Sequence, residues 1–235
     1  MTNRDIMFML TGKTRQLDTS ESEKNPASSP SHTGWKSHGS HCLSFQHDLK
    51  LSAPVKVAAF DMDHTIIKSQ SGMKFSRGVH DWMFTCNVVA EFTRLQQENY
   101  VIVIFTNQAS TNNSADSKSL QLLKTKMEDI FTHFTGPVLF YASTKAPKKE
   151  ETPIKLTMQE QFRKPNPGMF NQFLQDYGLD EESVDRENSF FVGDAAGRPM
   201  DFSDADIKFA QNVHLKFYTP EEYFPSMKHV TNGTG

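Results

Sequence analysis

Apolar residues along this chain fall into short runs and helical stripes that alternate. Val55 to Phe60 is apolar apart from Lys56, the texture of a strand buried on both faces. Trp82 to Glu98 reads as a helix, with Val88, Val89, Phe92 and Leu95 on one side. Val101-Ile102-Val103-Ile104-Phe105 is the clearest strand in the chain. Ser119 to Phe134 carries Leu122, Leu123, Met127, Ile130 and Phe131 at helical spacing. Pro137 to Ala142 reads as a strand, and Pro167 to Tyr177 as a helix closed by Gly178. Ser189 to Val192 predicts a further strand, Asp204 to Asn212 a helix and His214 to Phe217 a last short strand. Strands alternating with helices predict an α/β fold: a Rossmann-like parallel sheet with helices on both faces. It is expected to occupy residues 53 to 225, with a flexible tail over 226 to 235 and no internal repeat.

Residues 1 to 52 differ in texture. Serines crowd the stretch from Ser20 to Ser44, among prolines and glycines, and neither helical nor strand periodicity persists. This segment is predicted to be a disordered arm. Two features in it imitate sites. Gly12-Lys13-Thr14 resembles the end of a phosphate-binding P-loop, but Met7 stands where that loop needs its first glycine. His32, His38, His41 and Cys42 could be written as a metal site, yet their irregular spacing in a serine-rich stretch reads as solvated histidines.

Composition narrows the classes. The chain has 235 residues and a formal net charge of −3, which argues against a charge-driven nucleic-acid binder and leaves room for a local basic groove. No apolar run reaches the ~18 residues of a membrane span. Two cysteines, Cys42 and Cys86, make no disulfide scaffold and fit a reducing, intracellular compartment.

Reactive groups in such sheets collect beyond the carboxyl ends of the strands. Polar residues stand at four such places: Asp61-Met62-Asp63-His64-Thr65, Thr106-Asn107-Gln108, Arg163-Lys164-Pro165 and Gly193-Asp194-Ala195-Ala196-Gly197-Arg198-Pro199. Any one of them alone is an ordinary polar loop. Together they bring three carboxylates, a hydroxyl and cations to one crevice. Asp61 and Asp63 are two apart, so on an extended chain both lean to the same side. One can attack phosphorus while the other handles protons. A carboxylate and a phosphate repel each other, so a divalent cation is expected between them, with Asp194 helping to hold it; magnesium suits such oxygen ligands. Thr106 and Lys164 can reach the remaining phosphoryl oxygens. An aspartyl-phosphate intermediate follows, hydrolysed by water that the second carboxylate activates.

These motifs resemble the haloacid dehalogenase superfamily of phosphohydrolases. The finer wording, Phe60 to Ile66, Ile104 to Gln108, Arg163-Lys164-Pro165 with Gly168-Met169, and Phe191 to Pro199 followed by Asp201-Phe202-Ser203, is similar to the phosphatase domain of polynucleotide kinase-phosphatases. The likeness runs from about Val55 to Phe224. Lacking a P-loop, the pattern is most similar to the stand-alone fungal DNA 3′-phosphatases. The resemblance implies Asp61 as nucleophile and Asp63 as general acid/base, with Thr106 and Lys164 binding the phosphate. It implies magnesium held by Asp61, Asp63 (through its main-chain carbonyl), Asp194 and Asp206. Asn107, Arg163 and Arg198 join Thr106 and Lys164 as candidate substrate ligands, with structural pairing to nearby acids the other reading of Arg163 and Arg198.

Ile67 to Phe84 fits the superfamily's small flap, with no large cap domain, which suits a macromolecular substrate. The expected substrate is DNA ending in a 3′-phosphate and the expected setting strand-break repair in the nucleus, by a monomer with no membrane partner; the arm is a candidate site for a repair-protein partner. Thr144 to Gln161, bearing Lys145, Lys148, Lys149 and Lys155, reads as a solvated insertion or a DNA-facing loop. Two rival functions remain at this level. A small-molecule phosphatase of the same superfamily often carries a zinc loop of cysteines, and residues 108 to 163 hold no cysteine. A catalytically silent DNA-end binder would not need every catalytic position filled.

Overall fold

From Val55 onward most strands and helices fall where the apolar pattern puts them; residues 33 to 54 are more ordered than their composition suggests. The computed structural model describes residues 33–74, 76, 78–145 and 158–224. In chain order they form β1 (Gly34–His38), β2 (Cys42–Gln46), β3 (Lys56–Phe60), β4 (Ile67–Lys68), β5 (Met83–Phe84), α1 (Val88–Gln97), β6 (Tyr100–Gln108) and α2 (Lys118–Phe131). These are followed by β7 (Val138–Thr144), α3 (Met158–Phe162), α4 (Gly168–Asp176), β8 (Phe190–Val192), α5 (Ala205–Asn212), β9 (Lys216–Tyr218) and α6 (Pro220–Tyr223).

Seven strands make one sheet in the order β1-β2-β7-β6-β3-β8-β9. The five from β7 to β9 in that order are parallel, and β2 joins β7 antiparallel. Side chains along each parallel strand alternate between two cores. Ala58, Phe60, Ile102 and Ile104 face α1 and α2, meeting Phe92, Leu95, Leu123, Met127 and Ile130. Val57, Ala59, Val103 and Phe105 face α4 and α5, meeting Phe170, Phe173 and Phe209. Burial on both faces is why these strands are near-continuous apolar runs.

The main correction concerns the arm. Residues 33 to 52 are not a disordered segment: β1 and β2 form a hairpin that extends the sheet past β7. Its turn uses Gly39 in the left-handed region, at φ 57°. Leu43 enters one core and Cys42 the other, each fully buried. Trp35 packs on Phe45 and Phe140, with ring centroids 5.1 and 5.9 Å apart. A buried carboxylate on α4 anchors the hairpin: Asp176 accepts from Lys36 at 3.2 Å, from Tyr141 at 3.0 Å and from Gln46. His38 faces that carboxylate too and hydrogen-bonds Ser44, so it is a buried structural histidine rather than a solvated one. His41 packs its ring on Phe162. His32 and the rest of residues 1 to 32, including Gly12-Lys13-Thr14, lie outside the described residues, as do Lys148, Lys149, Lys155 and the tail after Phe224.

Smaller differences have local causes. The helix expected from Trp82 begins at Val88, where Asn87 caps it by accepting from the Ala90 amide. Met83 and Phe84 instead pair with Lys68 and Ile67, closing the small flap as a hairpin. β6 continues through Gln108 because Thr106, Asn107 and Gln108 pair with Ala142, Ser143 and Thr144 of β7, so these residues project from the strand itself.

Candidate active site

The site lies at the carboxyl ends of β3, β6 and β8. Asp61 follows β3 directly, and its amide donates to the Val192 carbonyl of β8 at 2.8 Å, which fixes where its side chain leaves the sheet. The chain then turns rather than running on extended. Ile66 and Ile67 donate to the Met62 carbonyl, and His64 takes a left-handed φ of 63°. The expectation that Asp61 and Asp63 lean together along an extended chain therefore gives way to a loop that separates them.

Asp61, Asp194 and Asp206 come together, with carboxylate oxygens of all three within 4.8 Å of one another. The glycine of Gly193-Asp194 has a steric purpose: a Cβ there would stand 2.5 Å from an oxygen of Asp206. Only glycine lets β8 and the first turn of α5 approach so closely. Asp206 also accepts from the Ala195 amide at 3.0 Å, which ties the loop after β8 to α5. Lys164 reaches the group from the segment before α4. Its Nζ is 2.6 Å from Asp61 and 2.7 Å from Asp206, and the side chain is almost wholly buried.

Charge in this cluster is out of balance. Burial, with the neighbouring carboxylates Asp206 and Asp194, holds Asp61 well above the usual carboxylate range despite Lys164. Burial and Asp206 push Asp194 up to about 6. Burial works to lower the Lys164 ammonium, but Asp206 and Asp61 outweigh it, so Lys164 is held above its ordinary value. Three crowded carboxylates facing one ammonium favour a further positive charge. Their all-oxygen donor set fits a hard divalent cation, held by Asp61, Asp194 and Asp206. The carboxylate of Asp63 is not among the three; its main-chain carbonyl is a ligand only as the family resemblance implies.

Asp63 belongs to a second group. Gln108 donates to its Oδ2 at 2.9 Å and to the Thr106 hydroxyl at 3.1 Å, joining the expected acid/base to the expected phosphate ligand. Lys126 of α2 stands 3.9 Å from Asp63 Oδ1. Burial lowers its ammonium, against the pull of Asp63 and Asp81. Sequence reading placed Gln108 in a strand-end motif without giving it a role, and missed Lys126. A signal for Lys126 exists: it lies three residues after Leu123 and four before Ile130, a charge within the apolar stripe of α2.

Of the other candidate substrate ligands, Asn107 sits differently from expectation. Asn107 points at protein: its Oδ1 accepts from the Lys164 amide, its Nδ2 donates to the Lys164 carbonyl, and Ser143 donates to the same Oδ1. Arg198 donates to Asp201 and Glu221, the structural pairing among the two readings of it. Arg163 is exposed beside Lys164 and has no side-chain partner among the described residues.

The family described as polynucleotide kinase 3 phosphatase matches residues 56–224. A bifunctional polynucleotide phosphatase/kinase of Schizosaccharomyces pombe is 37% identical over 176 residues, covering 74% of this chain but 39% of that protein. A polynucleotide 3′-phosphatase of Saccharomyces cerevisiae is 34% identical, covering 72% of this chain and 87% of that one. Among solved structures, a protein described as a HAD-like phosphatase from Mesorhizobium loti superposes with a TM-score of 0.50 at 16% identity, over 74% of this chain and 77% of that one. That likeness concerns the fold.

Proposed function

The chain belongs to the polynucleotide kinase 3 phosphatase family, and we propose from that membership and its site that it hydrolyses 3′-phosphate ends of DNA to 3′-hydroxyls. The observation that carries the reading is the convergence of Asp61, Asp194, Asp206 and Lys164, because it provides a nucleophile, a cation site and a phosphate-neutralising ammonium in one place. The two relatives named above are a polynucleotide phosphatase/kinase and a polynucleotide 3′-phosphatase, which points to an end phosphate on a nucleic acid as substrate.

The reaction assigns a task to each side chain. An Asp61 oxygen attacks phosphorus, and the bond from phosphorus to the 3′ oxygen breaks. Asp63, held by Gln108, gives its proton to the departing oxygen. Water then attacks the phospho-aspartate, Asp63 takes a proton from it, and inorganic phosphate leaves with Asp61 restored. Lys164 and Thr106 hold the phosphoryl oxygens, Lys164 offsetting their charge. Magnesium, bound by Asp61, Asp194 and Asp206, would neutralise the approach of a carboxylate to an anionic phosphate. We further assign the chain to DNA strand-break repair in the nucleus.

A substrate panel tests this reading: 3′-phosphate DNA, 5′-phosphate DNA, 3′-phosphate RNA and glucose 6-phosphate, each with magnesium and with chelator. Release from 3′-phosphate DNA alone among the DNA ends, lost on chelation, is expected. Preference for the sugar phosphate would favour a metabolite phosphatase, and equal release from 5′ ends would refute the polarity.

A further inference from the structure

Ile67 anchors the flap in the core beside the sheet, and the flap's polar and aromatic contacts run along one stripe of α2. Asp129 accepts from Trp82 Nε1 at 3.0 Å and from His80 Nδ1 at 3.2 Å. The ring of His133, past the end of the helix, meets the edges of Trp82 and Phe84 at 5.4 and 5.6 Å. Lys126, one turn before Asp129, donates to the Ser76 hydroxyl of the flap at 3.1 Å. Within the flap, Asp81 accepts from the amide and hydroxyl of Ser71, holding the loop's two arms together.

Lys126 is also the point where this stripe reaches the reaction. Its side chain is 11% exposed and its Nζ lies 3.9 Å from Asp63 Oδ1, an ion-pair separation longer than a hydrogen bond. The other oxygen of Asp63 is held by Gln108. The two contacts therefore divide the carboxylate between them, one oxygen each, and restrain its rotation. Packing alone does not account for a lysine here. Taking an ammonium largely out of water is costly, and the Ser76 hydroxyl, the Asp63 carboxylate at 3.9 Å and the charge of Asp81 offset that cost only in part.

We infer that Lys126 is a positioning residue that couples the seated flap to the orientation of Asp63. The inference rests on the reading of Asp63 as the group that protonates the leaving oxygen. Placing a catalytic group correctly is worth a large part of its effect, because small displacements are penalised steeply. The dependence differs with the leaving group. An alkoxide such as a sugar 3′ oxygen needs its proton as the bond breaks, whereas p-nitrophenolate leaves without one.

The test uses the full chain with Lys126→Gln and Lys126→Arg, comparing kcat/KM on a 3′-phosphate oligonucleotide, β-glycerophosphate and p-nitrophenyl phosphate. kcat/KM excludes the later breakdown of the phospho-aspartate. For Lys126→Gln the loss on both alkyl esters is expected to exceed the loss on the aryl ester by about tenfold to a hundredfold, with Lys126→Arg recovering most of it. Equal losses on all three substrates would make Lys126 a structural residue, and a loss confined to the oligonucleotide would make it a DNA contact; either overturns the inference. Wild-type turnover of the oligonucleotide tests the proposed function separately, because the alkyl-to-aryl contrast can be read on β-glycerophosphate alone.

Discussion

Asn107 grips the main chain of Lys164 from both sides, accepting from its amide at 2.9 Å and donating to its carbonyl at 3.1 Å. The residue that carries the key ammonium is thus positioned by a neighbouring strand, through its backbone. Asn107→Ala should lower kcat on a 3′-phosphate oligonucleotide by about tenfold or more, with Lys164 itself unchanged. A variant with wild-type kcat would show that the Lys164 segment holds its place without Asn107.

Asp61→Asn should abolish turnover while the protein stays folded, since the amide fills the same volume but is not a nucleophile. The loss should be at least about a thousandfold, in line with removal of other enzymic nucleophiles. Circular dichroism and a melting curve establish the fold; residual turnover near wild type would move the nucleophile elsewhere.

The raised carboxylates make stability depend on pH in a definite direction. Asp194 titrates at about 6 in the folded chain, above its ordinary value of 3.8. A carboxyl raised on folding stabilises when protonated, fully below its unfolded value, and that contribution is lost as pH rises through about 6. Magnesium competes with those protons. Its addition should therefore raise the melting temperature more at pH 7.5 than at pH 5, both set by the experimenter around that midpoint (about one unit or more on either side). An equal rise at both values would place the cation away from these carboxylates.

Arg163 is the exposed cation beside Lys164 with no described partner, so it is the better candidate for a DNA phosphate than the paired Arg198. Arg163→Ala should raise KM for an oligonucleotide severalfold and flatten its salt dependence, with little change on p-nitrophenyl phosphate. Equal effects on both substrates would place Arg163 in the framework instead.

A chain beginning at Ser52 lacks the hairpin, and should lose stability rather than tolerate the cut. It uncovers β7 along its edge and removes Leu43, Phe45 and Trp35 from the aromatic cluster around Phe140. Burying such side chains is worth about 1.5–3 kcal/mol each. The melting temperature should fall by more than about 10 °C, and an unchanged value would show the hairpin to be decoration.

How legible this was in the sequence depends on how each signal is encoded. The central strands were readable because burial on both faces leaves apolar runs, and the carboxylates because their loops follow those runs. β1 and β2 were obscured by composition: Leu43 and Phe45 do alternate with polar neighbours, but within serine-rich surroundings only five residues long in each strand. Pairing with β7 makes them strands, and pairing is not written locally. Lys126 and Asn107 escaped for a different reason. One looks like a solvated helix lysine and the other like a substrate ligand until the partner elements are in place.

The depth of Asp61 sets a rule of access. Its side chain is only 10% exposed, with the Lys164 ammonium 2.6 Å from one of its oxygens. A terminal monoester brings one substituent to so buried an oxygen and a diester brings two, so the monoester is the better-fitting substrate. Intact backbone, which is all diester, should therefore react far more slowly than an end phosphate. On this basis bis(p-nitrophenyl) phosphate should remain uncleaved where the monoester is consumed.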